Sequence, residues 1–254
     1  MDHAETSVTV YGKRAVVEAL GAEGVRVERL VLARDAAPSV RREVQAAARE
    51  QGLEVEEATA ARVHSITGDA RNDQGVAALI ALRRVRDVDA FTQSLKGAAA
   101  ARPVRVMALD NITNPQNVGM IVRSVVGAGL DGLLWPQAGM PWVGGLIVKS
   151  SASSIYACPI VRCPTLVEGL WALKRAGFRL YGLEAGASAD LFSLAPVHRS
   201  AFVIGGETTG ISPEALELID ERIAIPMHGP IESLNAAVAA SIVCFTVMRT
   251  SAKR

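Results

Sequence analysis

The sequence predicts an α/β protein with a small N-terminal domain and a larger C-terminal domain that contains a mostly parallel sheet. Short apolar runs, typical of buried strands, alternate with segments of helical periodicity along the chain. A charged, alanine-rich stretch, RVRDVDAFTQSLKGAAAARP, interrupts this alternation and indicates a linker. We therefore expect an N-terminal domain over residues 1–83, a linker over 84–103 and a C-terminal domain over 104–254.

The N-terminal part contains two predicted helices and three predicted strands. A helix from about Arg14 to Leu20 leads into a strand at VERLVLA, and a second helix covers VRREVQAAAREQG. Short strands near LEVEE and GVAALIAL follow. These elements predict a small α/β domain.

The C-terminal part contains six apolar, β-rich runs: VRVMALD, GLLWP, IYACPIV, FRLYGLE, AFVIGG and RIAIP. Helical segments separate them, for example Val118 to Gly127, Thr165 to Ala176 and Pro213 to Ile219. Continuous apolar strands that alternate with helices are typical of a parallel sheet covered on both faces.

The composition is that of an ordinary globular protein. The chain has 254 residues, of which 50% are hydrophobic and 21% charged, with a net charge of +1. Such a balance excludes a bulk polycation for non-specific binding of nucleic acid. The apolar run from Ala236 to Met248 is shorter than the ~20 residues of a membrane span, and no signal-peptide pattern begins the chain. We expect a cytoplasmic protein without a membrane segment.

The cysteine pattern argues against a metal site. Three cysteines are present, and Cys158 and Cys163 are five positions apart, which is not a usual zinc spacing. No second pair follows them. We expect reduced, buried thiols and no bound metal.

Polar, turn-rich stretches follow three of the predicted strands of the C-terminal part. They are DNITNPQNVG after the first strand, GGETTGIS after the fifth and HGPIESLN after the sixth. Ligands of parallel sheets collect at the carboxyl ends of strands. The sequence therefore predicts that the three loops converge on one site.

The first of these loops leads into an amphipathic helix. Its apolar residues recur at helical spacing from Val118 onward. Pro115 favours an extended conformation for Asn114, and Asn117 is expected to cap the helix. Arg123 falls about 130° from the centre of the apolar stripe at ~100° per residue. It is predicted to point away from the core, toward whatever the loop binds.

The other two loops match no common nucleotide fingerprint. GGETTG lacks the Lys-Ser/Thr pair of a phosphate-binding loop and the spacing of a dinucleotide motif. Its glycines predict a close approach of backbone to a flat ligand, and Glu207 is expected to hold the loop by accepting backbone N–H bonds. His228 lacks a partner residue in the sequence and is interpreted as structural.

Together the three loops resemble a known family. NPQNVGMIVRSVVGAG, FVIGGETTGIS and IPMHGPIESLNAAVAASI are similar, in order and spacing, to the three motifs of the SPOUT superfamily. The likeness is greatest to the 23S rRNA (guanosine-2′-O-)-methyltransferase branch of its TrmH family. VYGKRAVVEAL and NDQGVAAL resemble the small L30e-like domain of those enzymes, which binds the RNA substrate.

The resemblance implies a fold, an activity and partners. We expect a deep trefoil knot in the C-terminal domain, although general rules make knots exceptional, and a homodimer with its sites at the interface. The implied activity is S-adenosylmethionine-dependent methylation of a ribose 2′-hydroxyl in RNA. The target is expected to be a guanosine of 23S rRNA. The alternatives are a tRNA 2′-O-methyltransferase, an antibiotic-resistance rRNA methylase and a non-catalytic RNA-binding factor.

The resemblance also assigns site residues. Its catalytic and substrate-positioning set matches Asn117, Arg123, Glu207, Ser233 and Asn235. Its cofactor-binding backbone positions match Gly205, Ile225 and Leu234. The alanine-rich helix that follows Asn235 is expected to thread the knot and pack on the second subunit.

Two positions depart from the family pattern, and one assigned role needs a physical correction. Ser153 stands where relatives usually carry glycine, and Asp73 stands where histidine is usual. The family account often makes the arginine a general base, yet a guanidinium keeps its proton above pH ~12. We therefore expect Arg123 to clamp a phosphate and stabilise the developing alkoxide.

Overall fold

The computed structural model describes residues 7–96, 102–195, 197–231 and 233–251, and the chain forms two compact units. The first unit comprises Met1–Arg84 and Val143–Ala157, and the second comprises Val85–Trp142 and Cys158–Arg254. Residues 97–101 of the predicted linker lie outside the described residues. So do residues 1–6, 196, 232 and 252–254 of the two predicted domains.

The first unit is built on a mixed sheet of four strands in the order β1-β4-β2-β3. The strands are β1 Ser7–Tyr11, β2 Val25–Ala33, β3 Glu56–Ala58 and β4 Val76–Leu82. β4 pairs antiparallel with β1 and β2, and β3 pairs parallel with β2. Three helices accompany the sheet: α1 Lys13–Leu20, α2 Pro38–Glu50 and α3 Ala60–Thr67. Both predicted helices and all three predicted strands of this part are confirmed, whereas β1 and α3 were not predicted.

A segment from the predicted C-terminal domain belongs to the first unit. Val143–Ala157 carries a short helix, α6 Gly145–Ser150, and a 3₁₀ turn at Ser154–Ala157. The Tyr156 hydroxyl donates a hydrogen bond to the carbonyl of Ala15 at 3.4 Å. The contiguous division expected from sequence therefore differs from the observed units.

Ser153 adopts the backbone conformation for which glycine is best suited. Its φ is +61°, in the left-handed region that side chains other than glycine rarely adopt. Its hydroxyl donates a hydrogen bond to the Glu18 carboxylate, and this bond, with that from Arg14, holds the pKa of Glu18 below its usual value. The serine thus retains the turn geometry of a glycine and adds a contact to α1.

Asp73 is almost fully buried, with 1% of its surface exposed. Its carboxylate accepts hydrogen bonds from the backbone N–H of Gly75 at 2.8 Å and the Thr67 hydroxyl at 3.0 Å, and it pairs with His64 Nδ1 at 2.5 Å. Burial opposes ionisation, but these hydrogen bonds outweigh it and lower the pKa of Asp73. The substitution of the usual histidine is therefore accommodated by a complete set of donors.

The second unit is built on an eight-stranded sheet in the order β10-β12-β9-β11-β6-β7-β8-β5. The strands are β5 Val85–Asp87, β6 Val104–Asp110, β7 Gly132–Pro136, β8 Ile160–Cys163, β9 Arg179–Leu183, β10 Ala189–Asp190, β11 Arg199–Gly205 and β12 Glu221–Ala224. Every pairing between these described strands is parallel. The predicted mostly parallel sheet is confirmed.

Helices cover both faces of this sheet. They are α4 Val88–Ser94, α5 Pro115–Gly127, α7 Leu166–Arg175, α8 Pro213–Leu216 and α9 Ala236–Ser251. One core cluster joins α4, α7 and α8 to alternate residues of β6, namely Val104, Val106 and Ala108. The residues between them face the other side, where α9 contacts β6 and β11 and packs on α5. No described helix is both long and apolar enough to cross a membrane.

Residues 85–96 of the predicted linker contribute to the hydrophobic core of the second unit. β5 pairs with β8, and Asp87 caps α4 by accepting the backbone N–H of Ala90 at 2.6 Å. Val88, Phe91 and Leu95 are all buried, with exposures of 7%, 5% and 5%. These residues are three and four positions apart, which is the spacing of an apolar helix face. The pattern was not recognised in the sequence because the stretch is rich in charged residues and alanine.

Truncation of Phe91 tests whether α4 belongs to the core. We expect Phe91→Ala to lower the free energy of unfolding by about 3–5 kcal/mol, because it leaves a cavity under the sheet. Gln93→Ala is the matched control, since Gln93 is exposed on the same helix, and it should change stability by less than about 0.5 kcal/mol. Denaturant unfolding of the full chain measures both values. Similar values for the two variants would contradict the packing of α4.

Candidate active site

Loops of the second unit meet because neighbouring strands end at the same level. Asp110 at the end of β6 is paired with Gly205 at the end of β11, so the loops after these strands start side by side. Asp110 then joins the two loops, since its carboxylate accepts the backbone N–H of Ser212 at 2.6 Å and the Asn111 amide at 2.8 Å. β9 lies between β11 and β12. The predicted convergence is confirmed, and the loop after β9 is a further member.

The glycines of GGETTG allow the loop to fold back on itself. A Cβ on Gly205 would lie 2.1 Å from the carbonyl carbon of Gly210, which leaves no space for any side chain. Gly210 donates its N–H to the carbonyl of Gly206 at 2.9 Å and closes the turn with a φ of +65°. The sequence predicted that these glycines would let the backbone approach a ligand. At Gly205 the backbone approaches the backbone of Gly210 instead.

Three predicted site residues form one hydrogen-bonded group, the amide–carboxylate cluster of Asn117, Glu207 and Asn235. Asn117 Nδ2 donates to Glu207 Oε1 at 2.8 Å. Asn235 Nδ2 donates to Asn117 Oδ1 at 3.2 Å and also to the same Glu207 oxygen. Glu207 therefore accepts side-chain amides here, where backbone N–H donors were predicted. The three loops that carry these residues are fixed to each other through side chains.

Asn235 has a second role at the start of α9. Its Oδ1 accepts the backbone N–H of Ala237 at 2.9 Å and of Val238 at 3.3 Å. Such a cap satisfies backbone donors that have no partner within the helix. One side chain thus fixes the helix start with its oxygen and the cluster with its nitrogen.

The start of α5 differs from the prediction by one turn. Asn114, with the extended conformation predicted before proline, caps the helix by accepting the N–H of Gln116 at 2.9 Å. Asn117 was predicted as the cap, and that prediction is wrong. It lies inside the first turn, 4% exposed, where its amide is directed to Glu207. The Asn-Pro pair carries the capping function and leaves Asn117 available for the site.

A first cavity of about 680 Å³ opens beside the cluster. Loops that follow β9, β11 and β12 line it, and these include all three positions predicted to bind a cofactor: Gly205, Ile225 and Leu234. Ser233 and Glu207 line it as well. A cavity of this size suits a small organic ligand.

A second cavity of about 440 Å³ lies on the other side of Glu207. The loop after β6 and the first turn of α5 line it, together with hydroxyl groups from Thr208, Thr209 and Ser212. Gly206, Glu207 and Thr209 line both cavities, so they form a shared wall. The site can thus hold two ligands that meet at the amide–carboxylate cluster.

Arg123 is the one predicted site residue that neither belongs to the cluster nor lines one of the two cavities. It follows Asn117 by six positions, which places it about 240° around α5 and ~9 Å along the axis. It is exposed, as predicted, and lines neither cavity. Within the described part of the chain it has no hydrogen-bond or ion-pair partner. A guanidinium in this position can act only on a group that approaches from outside the unit.

The cysteines and His228 of the second unit do not contribute a reactive group to the two cavities. The three cysteines are free and buried. Burial raises the pKa of Cys163 and Cys244 to about 12, so both thiols stay protonated and unreactive. His228 is exposed in the loop after β12 and lines neither cavity. The described residues contain no group of three or more His, Cys, Asp or Glu side chains suited to a metal ion.

Sequence reasoning missed the loop after β9. Leu183, Glu184, Ala185 and Gly186 line the first cavity, although the stretch LEAGASA contains a single glycine and matches no cofactor fingerprint. The sequence contained one indication of this loop's role. The stretch directly follows a buried apolar strand, and ligands of parallel sheets collect at the carboxyl ends of strands.

Comparisons with known proteins identify relatives of both parts of the chain. Residues 104–245 match the SpoU rRNA Methylase family, and residues 9–85 match the RNA 2'-O ribose methyltransferase substrate binding model. A 23S rRNA (guanosine-2'-O-)-methyltransferase RlmB of Xanthomonas axonopodis pv. citri is 33% identical over 82% of both chains. An uncharacterized tRNA/rRNA methyltransferase of Mycolicibacterium gilvum is 34% identical over 97% of this chain and 78% of its own.

A solved structure shares the fold. The SpoU methyltransferase AviRb from Streptomyces viridochromogenes, in complex with the cofactor AdoMet, has a TM-score of 0.73 and 24% identity, over 98% of this chain and 92% of its own. The chain therefore belongs to the SpoU rRNA methylase family, a group of RNA methyltransferases. The resemblance inferred from the three loop motifs is confirmed.

Substitution of Gly205 tests the folded-back loop. We expect Gly205→Ala to lower the free energy of unfolding by about 1–3 kcal/mol, because its methyl group collides with the backbone at Gly210. Gly229→Ala is the control from another loop of the same cavity, since a Cβ there meets nothing within 4 Å. Thermal and denaturant unfolding measure both variants. A Gly205→Ala protein as stable as Gly229→Ala would contradict the loop geometry.

Proposed function

We propose that this protein transfers a methyl group from S-adenosylmethionine to a ribose 2′-hydroxyl in RNA, most specifically at a guanosine of 23S rRNA. Membership of the family and the name of the Xanthomonas relative support the reaction and the substrate. The observation that carries the proposal is the amide–carboxylate cluster in the region between two cavities, one for the cofactor and one for the acceptor nucleoside.

The first cavity fits S-adenosylmethionine in size and charge. Its volume is within the ~300–1,000 Å³ of small-molecule sites. The charged side chains that line it, among the described residues, are Glu184 and Glu207, which suits a ligand with sulfonium and ammonium groups. Gly205, Ile225 and Leu234 would hold the cofactor through backbone groups. When bound, it supplies an electrophilic methyl group, and we propose that no metal takes part.

The protein's task is then to position the acceptor and manage one proton. Asn117 and Glu207 line the second cavity, and Ser233 lines the first, beside the helix start at Asn235. We assign Ser233 and Asn235 to the alignment of the ribose hydroxyl. Holding two reacting groups in line is a large part of such a rate enhancement. The proton passes to water or to a phosphate oxygen.

Arg123 completes the site from a second subunit in this proposal. Met120, Arg123 and Gly127 recur at helical spacing on the exposed side of α5, and the Phe245 ring of α9 lies beside Gly127. Val238, Phe245 and Met248 of α9 are between 41% and 47% exposed, as is Met120. An apolar face of this kind marks an interaction surface. We propose that it forms the homodimer interface, where Arg123 clamps phosphate and stabilises the alkoxide at the partner's site.

The final helix supports the proposed knot. α9 packs on α5 and contacts β6 and β11, although it follows β12, which lies three positions from β6 in the sheet. Ser124 and Ser241 share a hydrogen bond of 2.7 Å between the two helices. The alanines of α9 at 236, 237, 239 and 240 are buried within this unit. Small side chains therefore permit the close packing that a threaded segment requires.

The first unit is proposed to be the L30e-like domain that binds RNA. The protein is proposed to act in the cytoplasm. The match of residues 9–85 to a substrate-binding model supports this role. Lys13 pairs with Glu43 at 2.9 Å and Arg14 with Glu18 at 2.8 Å, so these two charges are partly balanced. Arg83 is exposed at the end of β4 and is the better candidate for a phosphate contact.

Ribose-methylation mapping tests the function and separates the alternatives. The full-length protein is incubated with S-adenosylmethionine and either protein-free 23S rRNA or tRNA. We expect one new position in 23S rRNA that resists alkaline hydrolysis. A modified position in tRNA would instead favour the alternative that the names of the tRNA/rRNA relatives suggest. No modification of either RNA, despite cofactor binding, would support a non-catalytic factor.

Complementation between variants tests the shared site. Arg123→Ala and Glu207→Gln, produced alone, should each lose at least about 10² in turnover. When the two are co-expressed, half of the dimers are mixed, and each mixed dimer has one site with both residues intact. We expect activity to recover to roughly a quarter of the wild-type value. Recovery close to zero would show that both residues act within one subunit.

A further inference from the structure

Methylation of a hydroxyl group releases a proton, and the second cavity offers one side chain that can accept it. Among the described residues that line this cavity, the side chains are amides, hydroxyls and apolar groups, apart from the Glu207 carboxylate. Amide and hydroxyl groups do not take up a proton at neutral pH, whereas an ionised carboxylate acts as a base. Glu207 is therefore the described lining residue that is suited to general-base catalysis at the acceptor.

The other carboxylate of the site differs from Glu207 in position and in charge balance. Glu184 lines the first cavity and not the second. Its Oε2 lies 3.1 Å from Nη1 of Arg222 and forms an ion pair with it. Glu207 has no ion-pair partner among the described residues, since its contacts are the two amides of the cluster. The negative charge of Glu207 is therefore available to a ligand.

The two oxygens of Glu207 have different surroundings. Oε1 accepts the Asn117 amide at 2.8 Å and also the Asn235 amide. Oε2 accepts no hydrogen bond from a described residue, and the side chain is exposed at the wall that the two cavities share. A bound hydroxyl can therefore approach Oε2 while the amides hold Oε1.

The amide–carboxylate cluster fixes the direction of the second oxygen. Asn117 is 4% exposed in the first turn of α5. Asn235 is held by its bonds to the backbone N–H groups of Ala237 and Val238. Two amides anchored in this way oppose rotation of the carboxylate group. A base that is held in one orientation before the substrate arrives loses little freedom in the reaction.

We propose that Glu207 is the general base of the reaction and that its Oε2 accepts the proton of the acceptor 2′-hydroxyl. The inference rests on the proposed function, since it takes a ribose hydroxyl as the acceptor and S-adenosylmethionine as the methyl donor. As the O–H bond breaks, the oxygen forms its bond to the methyl carbon, and the carbon–sulfur bond breaks with its electron pair left on sulfur. The products are a 2′-O-methyl ribose, a neutral thioether and a protonated Glu207. Because the residue is exposed, the proton then passes to water and the carboxylate is restored.

Glu207→Gln separates a base from a hydrogen-bond acceptor. The glutamine oxygen can still accept both amides, whereas an NH₂ group replaces Oε2 and cannot take up a proton. On the RNA that wild-type protein methylates, we expect the single-turnover rate to fall by at least about 10². Calorimetry should give an affinity for S-adenosylhomocysteine, the demethylated product, within about twofold of wild type, because the lost interaction acts in the transition state. Glu217→Gln, exposed and lining neither cavity, should match wild type in both measurements.

Chemical rescue of Glu207→Ala provides a second measurement. Formate is a small carboxylate that can occupy the space of the deleted side chain and accept the proton in its place. We expect formate to raise the rate of Glu207→Ala at least about tenfold, in proportion to its concentration, and to leave wild type and Glu207→Gln unchanged. Sodium chloride at the same ionic strength is the control, because RNA binding depends on salt.

The results distinguish this inference from the proposed function. A Glu207→Gln rate within about tenfold of wild type overturns the inference, and so does the absence of rescue by formate in Glu207→Ala. A slow Glu207→Gln protein that also loses S-adenosylhomocysteine overturns it as well, since Glu207 would then act in ligand binding. If wild-type protein methylates neither 23S rRNA nor tRNA, the proposed function fails and the inference fails with it.

Discussion

The parallel register between β6 and β11 is the constraint on which the site depends. It ends both strands at one level, with Asp110 beside Gly205. Asp110 is 3% exposed and holds the loops after both strands through its two oxygens. The backbone of the loop after β11 can then fold back, because Gly205 has no side chain. Asn117 and Glu207 meet as a consequence of this shared starting point.

The sequence predicted the strands and loops of the site well, because both depend on local patterns. Apolar runs located six of the eight described strands of the second unit at least in part, with the two-residue β10 missed and β5 assigned to the linker. The capping of α5 was predicted at Asn117 because asparagine is a good cap in general. Asn114 caps the helix instead, and Asn117 donates to Glu207, 90 residues further along the chain. A hydrogen bond between residues so far apart in the sequence cannot be predicted from a local pattern.

The roles of Arg123 and Glu184 could not be predicted from local sequence patterns. The residues predicted for the site share one region except Arg123, whose distance from Asn117 follows from helix geometry alone. Its role could be assigned only by resemblance, because it lines neither cavity and has no contact with the cluster in the described chain. Glu184 was missed since a single acid after a strand is common, and its place in the cavity lining depends on how the loops assemble.

The cap of α9 links the site to the order in which the chain is synthesised. Asn235 engages the first turn of α9 through its oxygen and Glu207 through its nitrogen. Among the described elements this helix is the last in chain order, so Asn117 and Glu207 are synthesised before it. A nascent chain that still lacks the helix has an unassembled cluster. Asn235 and the first turn of α9 are thus the last-translated parts of the cluster among the described residues.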